Sequence, residues 1–263
     1  MADFTTLRYE ARDGLAFITL ARPEKRNAMN LELFAELAEA ADRAGVDPEA
    51  RGVVLSGDGP SFCAGIDLSA LGGLAGAPPE PFRTFLRTAQ RPYLVLSGLP
   101  KPVVAAVQGH AIGAGFQLAL ACDLRIAADD AAFAMLEARY GLIPDLGGMH
   151  RLTRLVGPAR TKELVWSART VTAEEAGRIG LVDRVVAASS LAEEAEALAQ
   201  AVTAHSPITA AFAKGLIDRA NETGLEVELE REGQAQAAVL RTDDHREAIA
   251  AFLERRPPTF TGR

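Results

Sequence analysis

The run Gly109-His110-Ala111-Ile112-Gly113-Ala114-Gly115-Phe116-Gln117 follows an apolar stretch at 102–107 and leads into Leu118-Ala119-Leu120-Ala121-Cys122-Asp123. A buried strand, a glycine-rich turn and an apolar helix in that order aim free backbone N–H groups at one point. The first N–H groups of a helix lack intrahelical partners and carry the positive end of its dipole. Such a site stabilises an anion, either bound or forming during a reaction. Two carboxylates follow. Glu137 stands among apolar residues, where it is a helix-surface charge, a partner for Arg139 or a proton carrier. Asp145, between Pro144 and Gly147-Gly148, is an Asx-turn residue or a second proton carrier. The glycines at 113 and 115 are not a dinucleotide fingerprint, because position 118 is leucine. Gly-x-Ser-x-Gly is absent, and His110, His150, His205 and His245 are scattered, so neither a nucleophile elbow nor a metal site is expected.

Those groups need a scaffold. Of 263 residues, 48% are hydrophobic and 24% charged, enough for a large core in one α/β unit. The net charge of −7 argues against nucleic-acid or anionic-membrane surfaces. No apolar run reaches about 18 residues without a charge, so no membrane span is expected. The first ten residues lack an apolar core behind a basic start, and Cys63 and Cys122 lack metal-ligand spacing. A cytoplasmic protein with two reduced thiols is the expectation.

Strand signals fall at 15–20, 52–56, 102–107 and 124–127, and helical patterns separate them, which implies largely parallel pairing. Asn27 or Asn30 is placed to cap a helix carrying Leu33, Phe34, Leu37 and Ala41. Residues 71–81, rich in glycine and proline, read as a mobile loop beside the site. The second half is helical, with capping patterns at Thr172 and Ser190, Ser206 ahead of Pro207, and a helix from about 243 to 255. Asp67 reads as a cap, and Trp166 is expected in the core.

Ser61-Phe62-Cys63-Ala64-Gly65-Ile66-Asp67-Leu68, the segment 109–123 and Gly141-Leu142-Ile143-Pro144-Asp145-Leu146-Gly147-Gly148 together resemble the crotonase, or enoyl-CoA hydratase/isomerase, superfamily. The likeness runs from about Leu15 past Phe252 and includes Arg22-Pro23-Glu24-Lys25-Arg26-Asn27-Ala28. It implies an α/β spiral of ββα units (here 1–195) with a helical C-terminal trimerisation region (196–263). It further implies a homotrimer or dimer of trimers, and an acyl-CoA thioester substrate with no separate cofactor. Carried over by position, the backbone amides of Ile66 and Ala114 form an oxyanion hole for the thioester carbonyl. Lys25, Arg26, Ala28, Ala64, Phe252 and Arg255 match CoA-binding positions, the last two reaching a neighbouring subunit's nucleotide in relatives.

The same likeness places acids at three positions. Hydratases of the family use two glutamates, and here the first position holds Gln117 and the second Glu137. An amide carries no proton near neutral pH. Asp145 occupies a third position, where isomerases and aryl-CoA dehalogenases can carry an aspartate. Glu137 and Asp145 moving a proton between two carbons of an enoyl-CoA is therefore the leading expectation. Hydration by Glu137 with water held by Gln117 is the alternative, and nucleophilic attack by Asp145 comes third. Gln117 also motivates a non-catalytic, CoA-ester-binding reading, separable by whether 2-enoyl- or 3-enoyl-CoA turns over.

Overall fold

In the computed structural model, residues 4–71, 78–220 and 222–263 are described. A hairpin of β1 (Leu7–Arg12) and β2 (Leu15–Leu20) comes first, turned by Asp13 and Gly14 at positive φ. Then follow α1 (Leu31–Val46), β3 (Gly52–Gly57), α2 (Pro79–Gly98), β4 (Val103–Val107), β5 (His110–Ile112) and α3 (Ala114–Ala121). Next are β6 (Leu124–Ala128), β7 (Ala132–Ala134), α4 (Gly148–Ser167), β8 (Val171–Thr172), α5 (Ala173–Arg178) and β9 (Arg184–Val186). The remainder is helical: α6 (Leu191–Thr203), α7 (Pro207–Ile217), α8 (Leu225–Val239) and α9 (Asp243–Glu254).

One sheet has the order β1-β2-β3-β4-β6-β9 and is parallel beyond the β1–β2 hairpin. A smaller sheet has the order β5-β7-β8. β4 runs into β5 and then α3, and β6 runs into β7 and then α4, each pair placing one strand in each sheet. β3 repeats the motif in reduced form, because Cys63 bridges Ala111 of β5 before the chain reaches α2. The chain thus winds in ββα turns that bring successive corners side by side.

Both faces of the large sheet are covered, which is why its strands read as continuous apolar runs. Successive side chains alternate faces. Val53, Leu55, Val103, Ala105 and Val107 join the core with α1, α2 and α3. Val54, Val104, Ala106 and Ile126 meet Leu191, Ala195, Leu198 and Ala199 of α6 on the other face. The division expected at 195/196 falls inside α6.

Asn30 caps α1 by accepting from Leu33 N at 2.9 Å, and Thr172 and Ser206 cap α5 and α7. Ser190 does not cap α6. Residues 188–190 form a 3₁₀ turn leading straight into that helix, and Ser190 Oγ donates back to Ala187 O at 3.1 Å. Residues 72–77 of the expected loop lie outside the described residues, but Pro79 and Pro81 belong to α2. A missing N–H costs nothing in a first helical turn, where the group has no partner anyway. Trp166 is 74% exposed instead of buried. Leu164 faces the core, and two residues at about 100° each carry Trp166 to the opposite side of α4.

Asn27 ties the loop after β2 to the loop after β3. It is fully buried, its Oδ1 accepts from Arg22 N at 2.9 Å, and its Nδ2 donates to Asp58 O at 2.9 Å and Ser61 O at 2.8 Å. Removing those bonds leaves buried main-chain groups unpaired, so Asn27→Ala should cost about 3 kcal/mol. Urea denaturation checks this, and an unchanged midpoint would contradict it.

Candidate active site

Residues 61–67 are pinned on both sides. Cys63 N donates to His110 O at 2.8 Å and Ile112 N to Cys63 O at 3.0 Å. On the other side Ala64 N donates to Arg26 O at 2.9 Å, Met29 N to Gly65 O at 2.7 Å and Asp67 N to Met29 O at 2.8 Å. Between these bonds the Ile66 N–H has no acceptor among the described residues. At the neighbouring corner Gly113, at φ 52° and ψ −115°, turns the chain into α3, a backbone shape that favours glycine. Gly113 N is satisfied by Ala134 O at 2.8 Å, whereas the Ala114 N–H, first of the helix, has no acceptor among the described residues. The two corners adjoin: a Cβ on Gly65 would stand 3.9 Å from Ala114 N. Gly115 lets α3 press against Cys63 O, which any side chain at 115 would overlap.

Glu137 opens a 3₁₀ turn (Glu137–Tyr140) after β7, beside Gly113. Its Oε1 accepts from Gln117 Nε2 at 2.9 Å, while Oε2 is buried with no partner among the described residues. Burial pushes the Glu137 carboxyl above its ordinary range, against the hydrogen bond from Gln117, and the charge on Asp145 adds to the rise. Asp145 is also raised by burial, although its residue keeps contact with solvent. Tyr93 of α2 is fully buried, donates to Ala114 O at 3.0 Å, and stays neutral because burial and then Cys63, Asp145 and Glu137 disfavour its phenolate. Burial pushes the Cys63 thiol up to about 12, so it offers no thiolate.

Lys25, Arg26, Ala28 and Ala64 lie along the strip that ends at Ile66, Lys25 and Arg26 exposed and the two alanines half-buried. Arg22 props this strip, bonding to Ala28 O and, at 3.1 Å, to Asp67. Asp67 also accepts from Ser69 N at 3.1 Å, a cap on the 3₁₀ turn that follows. Phe252 (80% exposed) and Arg255 lie at the end of α9, and neither side chain is hydrogen-bonded or ion-paired to the other candidate residues. His110 Nδ1 lies 3.1 Å from Ser61 Oγ. Among the described residues no group of His, Cys, Asp and Glu is arranged to hold a metal ion.

Sequence reading missed Tyr93 and Arg151. Arg151 Nη1 donates to Leu146 O at 3.1 Å, and its Nη2 donates to Tyr93 O at 3.2 Å and Ser97 Oγ at 3.0 Å. Two of those three acceptors are main-chain carbonyls, one of them on a distant helix, so no residue spacing announces the contact.

Residues 10–263 match the family described as enoyl-CoA hydratase/isomerase. A Rhodobacter capsulatus protein named "Probable enoyl-CoA hydratase" is 43% identical, covering 99% of each chain. The crystal structure of an enoyl-CoA hydratase from Bacillus anthracis superposes with a TM-score of 0.92 at 35% identity, covering 98% of this chain and 100% of that one. A Thermobifida fusca structure in complex with CoA gives 0.83 at 38% identity, covering 89% and 93%. The fold is therefore the crotonase α/β fold with its helical C-terminal region. The chain belongs to the enoyl-CoA hydratase/isomerase family.

A carboxyl raised by burial binds its proton more tightly folded than unfolded, so its ionisation costs stability as pH climbs from the ordinary value of about 4.3 to the raised one. Glu137→Gln should thus be more stable than the parent near neutral pH, and the advantage should vanish below about pH 4. Urea melts across that range decide it; a difference independent of pH would refute the burial argument.

Proposed function

We propose that this site hydrates 2-enoyl-CoA thioesters reversibly, with Glu137 as its proton carrier. The observation that carries the reading is the unpartnered Oε2 of Glu137 beside the two free amides at Ile66 and Ala114. The thioester carbonyl accepts from both amides, which polarises the conjugated double bond. Glu137 takes a proton from water as the water oxygen bonds to Cβ, and the π electrons move to the carbonyl oxygen as an enolate. The protonated carboxyl then returns that proton to Cα, which regenerates the carboxylate. One water is added, one C–O and one C–H bond form, and the C=C bond is consumed. Each amide holding the enolate is worth about 3–4 kcal/mol of barrier. A carboxyl that burial raises above its ordinary range suits both steps, since it takes and gives one proton.

Support comes from the hydratase names of the relatives. Lys25 and Arg26 offer positive charge for CoA phosphates on an otherwise acidic chain, and the Thermobifida fusca relative holds CoA. Phe252 and Arg255 would meet a nucleotide only in an assembly of copies, a homotrimer or dimer of trimers. Double-bond isomerisation is the second reading, favoured by Asp145, whose carboxyl is electrically coupled to Glu137.

Purified protein with crotonyl-CoA, followed by loss of the enoyl thioester absorbance, tests the proposal. Glu137→Gln should lose roughly 10²–10⁴-fold in kcat. Ala114→Pro, which removes one N–H at a helix position that accepts proline, should lose about 10²–10³-fold. Asp145→Asn should keep hydration within about threefold. Turnover of 3-enoyl-CoA alone, lost in Asp145→Asn, would replace hydration by isomerisation. CoA-ester binding without turnover of either substrate would leave a binding protein.

A further inference from the structure

Gln117 stands where the family's hydratases carry a glutamate, and its surroundings say what it does instead. Its side chain is 1% exposed, and Oε1 accepts from two main-chain donors, Leu146 N at 2.9 Å and Gly148 N at 3.1 Å. A carbonyl oxygen can accept twice; an NH₂ group in its place would meet two donors. The carboxamide therefore has one possible orientation, with Nε2 facing Glu137 Oε1 at 2.9 Å. Gly148 makes room for this arrangement, because a Cβ there would stand 2.8 Å from Gln117 Oε1. The turn that supplies the two amides is itself anchored. Arg151, without an ion pair among the described residues, joins Leu146 O to Tyr93 O and Ser97 Oγ of α2.

We infer that Gln117 is a positioning residue that divides the Glu137 carboxylate into a fixed acceptor, Oε1, and a working oxygen, Oε2, and that Arg151 holds Gln117 in that orientation. This rests on the reading that Glu137 carries the proton, and it gives position 117 a role other than acid or base. A donor on Oε1 favours the ionised carboxylate and so opposes the effect of burial. It also leaves Oε2, which has no other partner, to meet substrate and water.

The groups around Glu137 are Asp145 from the loop before α4 and Tyr93 from α2, with Cys63 and Arg151 beyond Tyr93. Cys63 and Tyr93 hold their protons across the neutral range and Arg151 stays charged, so Asp145 is the neighbour that titrates alongside Glu137. An Asp145→Asn background removes it.

In that background, full-length protein carrying ¹³C-labelled glutamate gives the ionisation of Glu137 by NMR, assigned by Glu137→Gln. The acid limb of kcat/KM with crotonyl-CoA gives it kinetically. Gln117→Leu, which loses the donor, should move both upward by roughly half a pH unit or more. Gln117→Glu keeps the two amides but sets a carboxylate oxygen against Glu137 Oε1. Two carboxylates at that distance share one proton, so the upward shift should be larger than in Gln117→Leu. Arg151→Lys should shift Glu137 the same way by less. If Gln117→Leu fails to fold, Gln117→Asn, too short to span both partners, answers the same question. An unmoved Glu137 in the position-117 variants would overturn the inference. The NMR titration needs no substrate, so it stands or falls separately from the hydratase assignment.

Discussion

Helix α3 is buried along its whole length, and the rest of the site follows from that constraint. A buried helix start holds N–H groups that cannot turn to water, and each one left unpaired costs about 1–3 kcal/mol. Around it, Gly113 N meets Ala134 O, and Ala114 O receives the Tyr93 hydroxyl. The Ala114 N–H stays open beside the Ile66 N–H of the adjoining corner. On the proposed reading, that cost is recovered when an oxygen with growing negative charge arrives, so the fold would stabilise an enolate more than the ester it came from. Glycines at 65, 113 and 115 serve this one end, by turning the two corners and letting them touch.

The strand, glycine turn and buried helix were legible because each leaves a local mark: an apolar run, a residue tolerant of positive φ, a second apolar run. The caps at Asn30, Thr172 and Ser206 were legible for the same reason, since a cap acts within three residues. What escaped were features decided at long range. Ser190 carries a capping pattern, yet a 3₁₀ turn before it already sets its backbone. α2 begins at prolines that read as a loop, because a proline in a first turn and a proline in a coil look alike in sequence. Trp166 looked like core because large aromatics usually are, but the phase of α4 decides otherwise.

The candidate site shows the same division. Ile66, Ala114, Gln117 and Glu137 could be placed by position, but the state of each could not. That Gln117 spends both lone pairs of Oε1 on main-chain donors depends on a turn 29 to 31 residues away. That Arg151 anchors the turn depends on carbonyls, which carry no residue identity. Phe252 and Arg255 stand at the far end of α9.

The charge balance gives a reason for an amide at 117. Glu137 already pays for burial and already feels Asp145. A second carboxylate 2.9 Å from Oε1 would add repulsion that a proton shared across that contact would relieve, which makes Glu137 harder to ionise. With glutamine there, the same position supplies a donor instead of a charge, so Glu137 can ionise while the nearby Asp145 also carries charge. A site with Asp145 in its cleft and a carboxylate at 117 would have to hold three acids together with Tyr93 neutral and Arg151 turned to carbonyls. The identities of 117 and 145 are on this argument coupled through Glu137, although they lie on different elements.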